Sequence, residues 1–352
     1  MWFFYKVSFE NEHLDYFIES IKGFFLKTFE GYSFIEAING EFFRNMSRTK
    51  LIREYFEEFY KNYNGLSQEN KSIIQEAFRI NTNIENVCLS ILTPVKYSEL
   101  PGLVREDLKN IFDYLYEDFP KIKYFKESLG SFKNYYDQFY EQNFSENTLC
   151  PFCGLKFMKT PEEKRREPFD HYLLRSQYPF VSLIRNNLVP MCHDCNEDYK
   201  KEYDISNRKV FYPFTDRESD VVLKINGSEV QVHSDHFTEE VESWDNIFDV
   251  KQRIEGYVRK NKSALLSNFT ELESLFEEKE WKEYLERKIQ SCDKYLYYMH
   301  NYIEKAILLD EFSYIFNTGE MTFESEGVSD SNFQQSNNEH DIMLGKCLIK
   351  NR

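Results

Sequence analysis

The sequence is short of positive charge: it has 44 Lys and Arg residues against 60 Asp and Glu, a net charge of −16. Proteins that bind naked duplex DNA tightly neutralise its phosphates with Lys and Arg, so this balance argues against a simple nucleic-acid-binding protein. The acidity is uneven, however. Residues 145–210 contain 11 basic and 10 acidic residues, and the rest of the chain carries a net charge of −17. The central window is therefore spared this acidity, although tight DNA binding by the whole chain does not follow.

Long apolar runs are also missing. No run approaches the roughly 18 residues of a membrane-spanning helix. The apolar start, residues 1–5, is followed closely by Lys6 and Glu10 and has no small-residue cleavage site, so we expect no signal peptide. From these absences we expect a soluble, cytoplasmic protein with no membrane partner.

Cysteines are few and odd in number, seven in 352 residues, and a chain of this length with so few does not suggest a disulfide framework. Four of them form two C-x-x-C pairs, Cys150 with Cys153 and Cys192 with Cys195. In a reducing compartment such pairs indicate metal binding. Zn²⁺ takes four ligands in a tetrahedron, so the sequence predicts one structural zinc site. Four thiolates leave no position for a catalytic water, and His193, inside the second pair, is expected to point to solvent.

The remaining composition supports a folded protein, with 41% hydrophobic and 17% aromatic residues. Aromatic and aliphatic residues recur at helical spacing in the first 140 residues and again from about Trp244, and we expect these stripes to form core. Alternating apolar residues around Asn226-Gly227 predict a β-hairpin with a tight type I′ turn. We therefore expect an α+β, mainly helical protein. Its predicted parts are a helical domain (1–143), a zinc-containing module (144–210), a hairpin with a helical region (211–316) and a flexible tail (317–352).

Residues suited to phosphodiester hydrolysis lie between and after the cysteine pairs. This reaction needs a base to activate water and a cation to stabilise the developing charge. His171 can act as the base, while Asp170 and Asn196 offer the hard oxygen ligands that Mg²⁺ or Mn²⁺ prefers. The segments concerned are Phe169-Asp170-His171-Tyr172, Asn186-Asn187-Leu188-Val189-Pro190 and Cys195-Asn196-Glu197-Asp198-Tyr199-Lys200.

This set of segments resembles the HNH endonuclease family, whose fold is a zinc-stapled ββα-metal module. The resemblance covers about residues 145–205. It implies that Asp170 and Asn196 ligate the catalytic Mg²⁺ or Mn²⁺ and that His171 is the general base. It also implies that Asn187 fixes the loop and orients the His171 ring, although the adjacent Asn186 is an alternative.

The chain departs from the family pattern at two positions. Asn196 stands where the family name has a histidine, a substitution that the family often shows. Leu174 stands where related sequences often have proline. Neither change removes a chemical role.

Basic residues in the same window are candidates for substrate binding. Arg175, Arg185 and Lys200 are predicted to contact phosphate groups of the substrate, and solvated surface charges are the alternative interpretation. The flanking acidity suggests that a protein partner or a homo-oligomer delivers the module to its substrate.

The resemblance implies a metal-dependent endonuclease that hydrolyses phosphodiester bonds of DNA. We interpret it as a defence or toxin-type effector, such as a bacterial anti-phage nuclease. Two alternatives remain: a non-catalytic zinc-binding scaffold, and an HNH nuclease that cleaves RNA.

Overall fold

The protein is described by a computed structural model. The described residues are 1–6, 12–38, 40–46, 50–118, 121, 126–127, 132–144, 149–227, 229–294 and 299–316. Within them the chain is mainly helical and has two short two-stranded sheets, which confirms the coarse α+β expectation. The predicted tail, 317–352, lies outside the described residues. None of the described helices has the length and apolar composition needed to cross a lipid bilayer.

The chain divides into two compact units. The first consists of Tyr5–Phe144 and Lys159–Thr215, and the second of Met1–Phe4, Ser145–Met158 and Asp216–Arg352. The first unit therefore includes most of the predicted N-terminal helical domain and much of the predicted nuclease module.

In the described residues, α-helices build most of the first unit. They are α1 (Glu12–Phe29), α2 (Phe34–Ala37), α3 (Glu41–Met46), α4 (Lys50–Asn64), α5 (Gln68–Asn81), α6 (Ile84–Cys88), α7 (Gly102–Glu117) and α8 (Phe132–Asn143). Phe24, Phe25, Phe56 and Phe59 are fully buried and pack ring against ring. The predicted aromatic stripes therefore form core, as expected from their helical spacing.

Helix α7 matters most for the candidate site. It packs against α4, and Asn62 Nδ2 of α4 donates a 2.9 Å hydrogen bond to Asp107 Oδ2 of α7. Val104, Leu108 and Ile111 are fully buried on its inner face. Because this face is anchored in the core, the residues at the end of α7 are held in place.

A small antiparallel sheet follows in the same unit. Strand β1 (Phe169–His171) pairs with β2 (Leu188–Pro190), and Asp170 lies opposite Val189. A π-helix at Asp194–Lys200 comes next. Its wide turn is visible in the 2.9 Å hydrogen bond from the Lys201 N–H to the Asn196 carbonyl, five residues back. The chain therefore runs strand, strand, helix through the residues predicted to be catalytic.

The second unit contains the predicted hairpin and the later helices. Strands β3 (Val222–Asn226) and β4 (Glu229–His233) are antiparallel with Asn226 opposite Glu229, so the predicted pair of strands is confirmed. The type I′ turn stays a prediction, because residue 228 lies outside the described residues. Gly227 after β3 has a φ of +64°, which glycine adopts without strain. The helices are α9 (Thr238–Phe248), α10 (Val250–Glu273), α11 (Glu278–Lys294), α12 (Met299–Glu311) and α13 (Ser313–Phe316).

Two features of the second unit concern its core. Phe269, Trp281, Leu285 and Phe312 are buried together in one apolar cluster. Cys292 is buried as well, in agreement with its place on the apolar stripe of the sequence.

Candidate metal centre and active site

Cys150, Cys153, Cys192 and Cys195 are all buried, and their sulphur atoms all lie within 4.8 Å of one another. A zinc ion with Zn–S bonds of about 2.3 Å at tetrahedral angles holds its sulphurs about 3.8 Å apart. The donor type, the number of donors and their spacing therefore fit a structural metal such as zinc.

The backbone around the first cysteine pair has the form of a metal-binding knuckle. The Cys150 N–H donates to the Lys156 carbonyl at 2.7 Å, and the Gly154 N–H donates to the Cys150 carbonyl at 2.8 Å. Gly154 has a φ of +67°, which lets the chain fold back beneath the pair. The Leu155 N–H donates to Cys153 Sγ at 3.4 Å, a contact that favours a negatively charged sulphur.

At the second pair, Cys192 and Cys195 stand where β2 gives way to the π-helix. The Asn196 N–H donates to the Cys192 carbonyl at 3.1 Å, which begins the helical turn. His193 is exposed, as predicted. The cysteines are therefore held by regular backbone geometry immediately before the candidate catalytic residue Asn196.

The loop after His171 is held by Asn187, which is completely buried. The Leu173 N–H donates to Asn187 Oδ1 at 2.7 Å. In return, Asn187 Nδ2 donates to the carbonyls of Leu173 at 3.0 Å and Val181 at 3.3 Å. Asn187 thus fixes the backbone two residues beyond His171.

The alternative residue at this position is Asn186. Its Nδ2 donates to the Tyr212 hydroxyl at 3.0 Å, away from the His171 loop. Of the two candidates, the structure therefore gives the loop-fixing position to Asn187. Orientation of the His171 ring by Asn187 stays a prediction, because the hydrogen bonds of the Asn187 amide go to backbone atoms.

The Asp170 carboxylate is paired with a buried lysine. Lys200 Nζ lies 2.6 Å from Asp170 Oδ2, and the Lys200 side chain is 0% exposed. The same ammonium donates to the His171 carbonyl at 3.3 Å. Lys200 was predicted to contact substrate phosphate, but in the structure it faces the Asp170-His171 dipeptide. Burial raises the pKa of Asp170, and the ammonium of Lys200 opposes that rise.

The imidazole of His171 stands in a positively charged environment. Partial burial of the ring, together with the charges of Arg175 and Lys200, lowers the pKa of His171 to about 3. Its other neighbour is aromatic: the Tyr116 ring of α7 meets the imidazole edge to face, with centroids 5.4 Å apart. The ring is therefore neutral at physiological pH and has a free proton-accepting capacity.

Asn196 lies on the first turn of the π-helix and is partly exposed. Its Nδ2 donates to Glu197 Oε1 at 2.9 Å, so the amide oxygen keeps its lone pairs for another partner. Both predicted ligands of the catalytic metal thus offer an oxygen atom, Asn196 through its amide and Asp170 through the carboxylate oxygen that Lys200 does not occupy. Oxygen donors of this kind fit Mg²⁺ or Mn²⁺.

The two predicted substrate-binding arginines are also paired with carboxylates. Arg175 Nη1 lies 2.9 Å from Asp113 Oδ1 of α7. Arg185 Nη1 lies 2.9 and 2.8 Å from the two carboxylate oxygens of Asp15 in α1. Both acids belong to the N-terminal helices, so these helices contribute directly to the surroundings of the predicted nuclease segment.

Sequence reasoning missed Tyr116 as a member of the site. Its place on α7 is visible in the helical spacing, but 55 positions separate it from His171. Only the packing of α7 brings the two rings together. The one available signal was its position on the exposed, polar face of the amphipathic helix α7, beside Asp113 and Glu117.

Comparisons with known proteins show similarity over a short stretch of the chain. A scan of protein-family models finds no match, and no solved structure matches. A stretch of 64 residues is 36% identical to protein ea31 of Escherichia phage lambda. This match spans 18% of the chain and 18% of the phage protein. The chain is therefore similar to a short part of a phage protein.

Proposed function

We propose that the protein is a metal-dependent endonuclease of the HNH type that hydrolyses phosphodiester bonds of DNA. The observation that carries the proposal is the placement of His171. The residue ends one strand of an antiparallel pair, directly after Asp170, and its loop is fixed by Asn187. A helical turn with Asn196 and Lys200 follows the second strand. This is the strand, strand, helix order that the resemblance predicts.

His171 is the general base in this proposal. A base must be unprotonated to take a proton from water, and the low pKa of His171 keeps its ring neutral. The positive charges that lower the pKa also attract a phosphodiester. A bound phosphodiester would bring negative charge to the ring, which raises its proton affinity when substrate is present.

Asp170 and Asn196 would hold the catalytic Mg²⁺ or Mn²⁺. When bound, such an ion stabilises the developing charge and the leaving oxygen. Lys200 holds the Asp170 carboxylate and the His171 carbonyl together, so the dipeptide keeps one conformation. Asn187 likewise holds the backbone of the loop that follows His171.

The acidic flanks support the idea of a partner. Because the chain has a net charge of −16, we expect the isolated protein to bind duplex DNA weakly and with a strong dependence on salt. A protein partner or a homo-oligomer would deliver the module to DNA, as expected for a defence or toxin-type effector acting in the cytoplasm.

A non-catalytic zinc scaffold is the second candidate. It is favoured by one observation: the four-cysteine cluster is complete by itself and needs no catalytic residue. An enzyme and a scaffold differ in one measurable property, cleavage.

The test is incubation of the purified chain with supercoiled plasmid, linear duplex and RNA, in Mg²⁺, in Mn²⁺ and in EDTA. The proposal predicts divalent-dependent cleavage of DNA. Cleavage of RNA alone would establish the RNA-cleaving alternative, and no cleavage of any substrate would favour the scaffold.

The decisive variant is His171→Ala. Loss of a general base typically slows a reaction by about 10²–10⁴-fold. His233→Ala, which removes an exposed histidine of the β3–β4 hairpin, is the matched control and should cleave as the wild type does. Undiminished cleavage by His171→Ala would place the chemistry elsewhere.

A further inference from the structure

Helix α7 carries three residues that surround one arginine. Asp113, Tyr116 and Glu117 are spaced three and four positions apart, so they share one face of the helix. The guanidinium carbon of Arg175 lies 3.8 Å above the centroid of the Tyr116 ring. At this distance the guanidinium and the ring attract each other by a cation–π interaction.

The remaining contacts of Arg175 are with exposed carboxylates. Nη1 lies 2.9 Å from Asp113 Oδ1, and Nη2 lies 4.0 Å from Glu117 Oε1. Both acidic side chains are 62% exposed, whereas Arg175 is 23% exposed. Ion pairs with carboxylates so open to water are weak and are screened by salt. An anion with better geometry can therefore replace them.

The tyrosine links this arginine to the candidate active site. Tyr116 is 49% exposed, and its ring contacts the imidazole of His171 as well as Arg175. An anion bound to Arg175 would thus lie beside the group proposed to activate water. Arginine is suited to this task, because its planar set of N–H donors matches two phosphate oxygens at once.

We infer that Arg175 and Tyr116 form a subsite for a backbone phosphate of the nucleic acid, next to the phosphodiester on which His171 acts. The inference rests on the proposed function. Tyr116 holds the guanidinium plane, and Arg175 contacts the phosphate. Asp113 and Glu117 pair with Arg175 while the subsite is empty, and the phosphate displaces them. Helix α7 is thereby part of the substrate-binding surface.

The experiment measures binding apart from cleavage. A short fluorescein-labelled DNA duplex is titrated with the full chain in Ca²⁺ and low salt, and anisotropy gives Kd at several salt concentrations. One lost phosphate contact should reduce the slope of log K against log salt by about 1. Arg175→Ala should show this loss, together with a roughly tenfold weaker Kd.

Companion variants separate the roles of the other residues. Tyr116→Ala should weaken binding, whereas Tyr116→Phe keeps the ring and should bind as the wild type does. Asp113→Asn should tighten binding, because it removes one of the two competing carboxylates. Arg79→Ala is the control: Arg79 is an exposed arginine of α5 that is likewise paired with a carboxylate, Glu76.

The Arg175→Lys variant provides a second test that can be used if Arg175→Ala does not fold. It retains the charge and so should retain the salt slope, but it loses the two-point contact and should bind more weakly. An unchanged Kd and salt slope in Arg175→Ala would overturn the inference, as would no measurable binding of the duplex by the wild type. The same duplex in Mg²⁺ tests cleavage separately, so the proposed function can fail while the salt slopes still decide the subsite.

Discussion

Lys200 and Asp170 form an ion pair 2.6 Å long in which the lysine side chain has no exposed surface. A charge without water is stabilised only by its partners. The Lys200 ammonium has two partners within hydrogen-bonding reach, the Asp170 carboxylate and the His171 carbonyl. Both belong to the dipeptide that carries the proposed chemistry, so the lysine couples stability to the active site.

Removal of the Lys200 ammonium should lower the free energy of unfolding. Lys200→Met leaves the Asp170 carboxylate buried and without its partner, and breaking a buried pair typically costs about 3–5 kcal/mol. Urea unfolding measures the loss. The double variant Lys200→Met/Asp170→Asn should recover part of it, because no unpaired charge remains. A double variant that is no more stable than Lys200→Met would contradict this account. Arg79→Met, which breaks an exposed pair, serves as the surface control.

His171 should make the protein sensitive to acid. Its pKa is lowered from 6.5 to about 3 in the folded protein, so the unfolded chain takes up a proton at a pH where the folded chain does not. The free energy of unfolding should therefore fall as the pH drops below 6.5, until the folded ring also protonates near pH 3. His171→Gln should lack this contribution in unfolding experiments across the range. His233→Gln is the control, and an identical pH dependence in wild type and His171→Gln would refute the prediction.

The same shift affects the pH profile of cleavage. An ordinary histidine base gives a rate that rises between about pH 5 and 8. A base with a pKa near 3 is already unprotonated there, so the rate at limiting substrate should not rise through pH 6.5 on account of His171. A single-turnover series at constant ionic strength measures this. If the cleavage rate does rise through pH 6.5, and if this rise is lost in a variant that still contains His171, another residue is the base.

The cysteine cluster should bind about one zinc per chain, from its four thiolates. Cys153→Ser and Cys192→Ser should each lose the metal, and with it a large share of an apparent binding energy on the order of 10 kcal/mol. Metal analysis and thermal unfolding measure the two effects. Cys292→Ala removes a buried cysteine outside the cluster and should retain the zinc. A chain that folds without zinc and with all its thiols open to titration would contradict the assignment.

Asn187 and the adjacent Asn186 provide a matched pair. Asn187→Ala removes the partner of the buried N–H and carbonyl groups of Leu173, and each such loss costs about 1–3 kcal/mol. Asn186→Ala removes one hydrogen bond to Tyr212 and should be milder. Cleavage should decrease more in Asn187→Ala, because the loop beyond His171 loses its tether. Equal loss of stability and activity in the two variants would mean that Asn187 has no specific role in holding the loop after His171.

Local pattern predicted much of this arrangement. The C-x-x-C spacing predicted the cysteine cluster, and the alternation around Asn226-Gly227 predicted the hairpin. Each C-x-x-C pair and the hairpin are confined to a few neighbouring positions, where chain geometry decides the outcome. The need of zinc for four ligands linked the two distant pairs. The core status of Phe24 and Phe56 followed from helical spacing for the same reason.

Long-range packing lay beyond such reasoning. Sequence reasoning assigned the loop position to Asn187 but kept Asn186 as an alternative, because two adjacent amides are distinguished only by burial and by their hydrogen bonds. It also predicted that Lys200 contacts substrate phosphate or solvent, whereas the side chain is fully buried, which is rare for a lysine. The contact between Tyr116 and His171 depends on how α7 packs, which no short spacing encodes.

The wide helical turn at Asp194–Lys200 has a consequence for insertions and deletions. A π-helical turn contains one residue more than an α-helical turn needs. Deletion of Asp198 would let the segment close into an ordinary α-helix in which the lysine follows Cys195 by four residues instead of five, which is still about one full turn. The ammonium would therefore keep facing the Asp170 carboxylate. A deletion from a regular α-helical turn would instead rotate the lysine by roughly 100° about the axis, so this turn should tolerate a shortening that a regular helix would not.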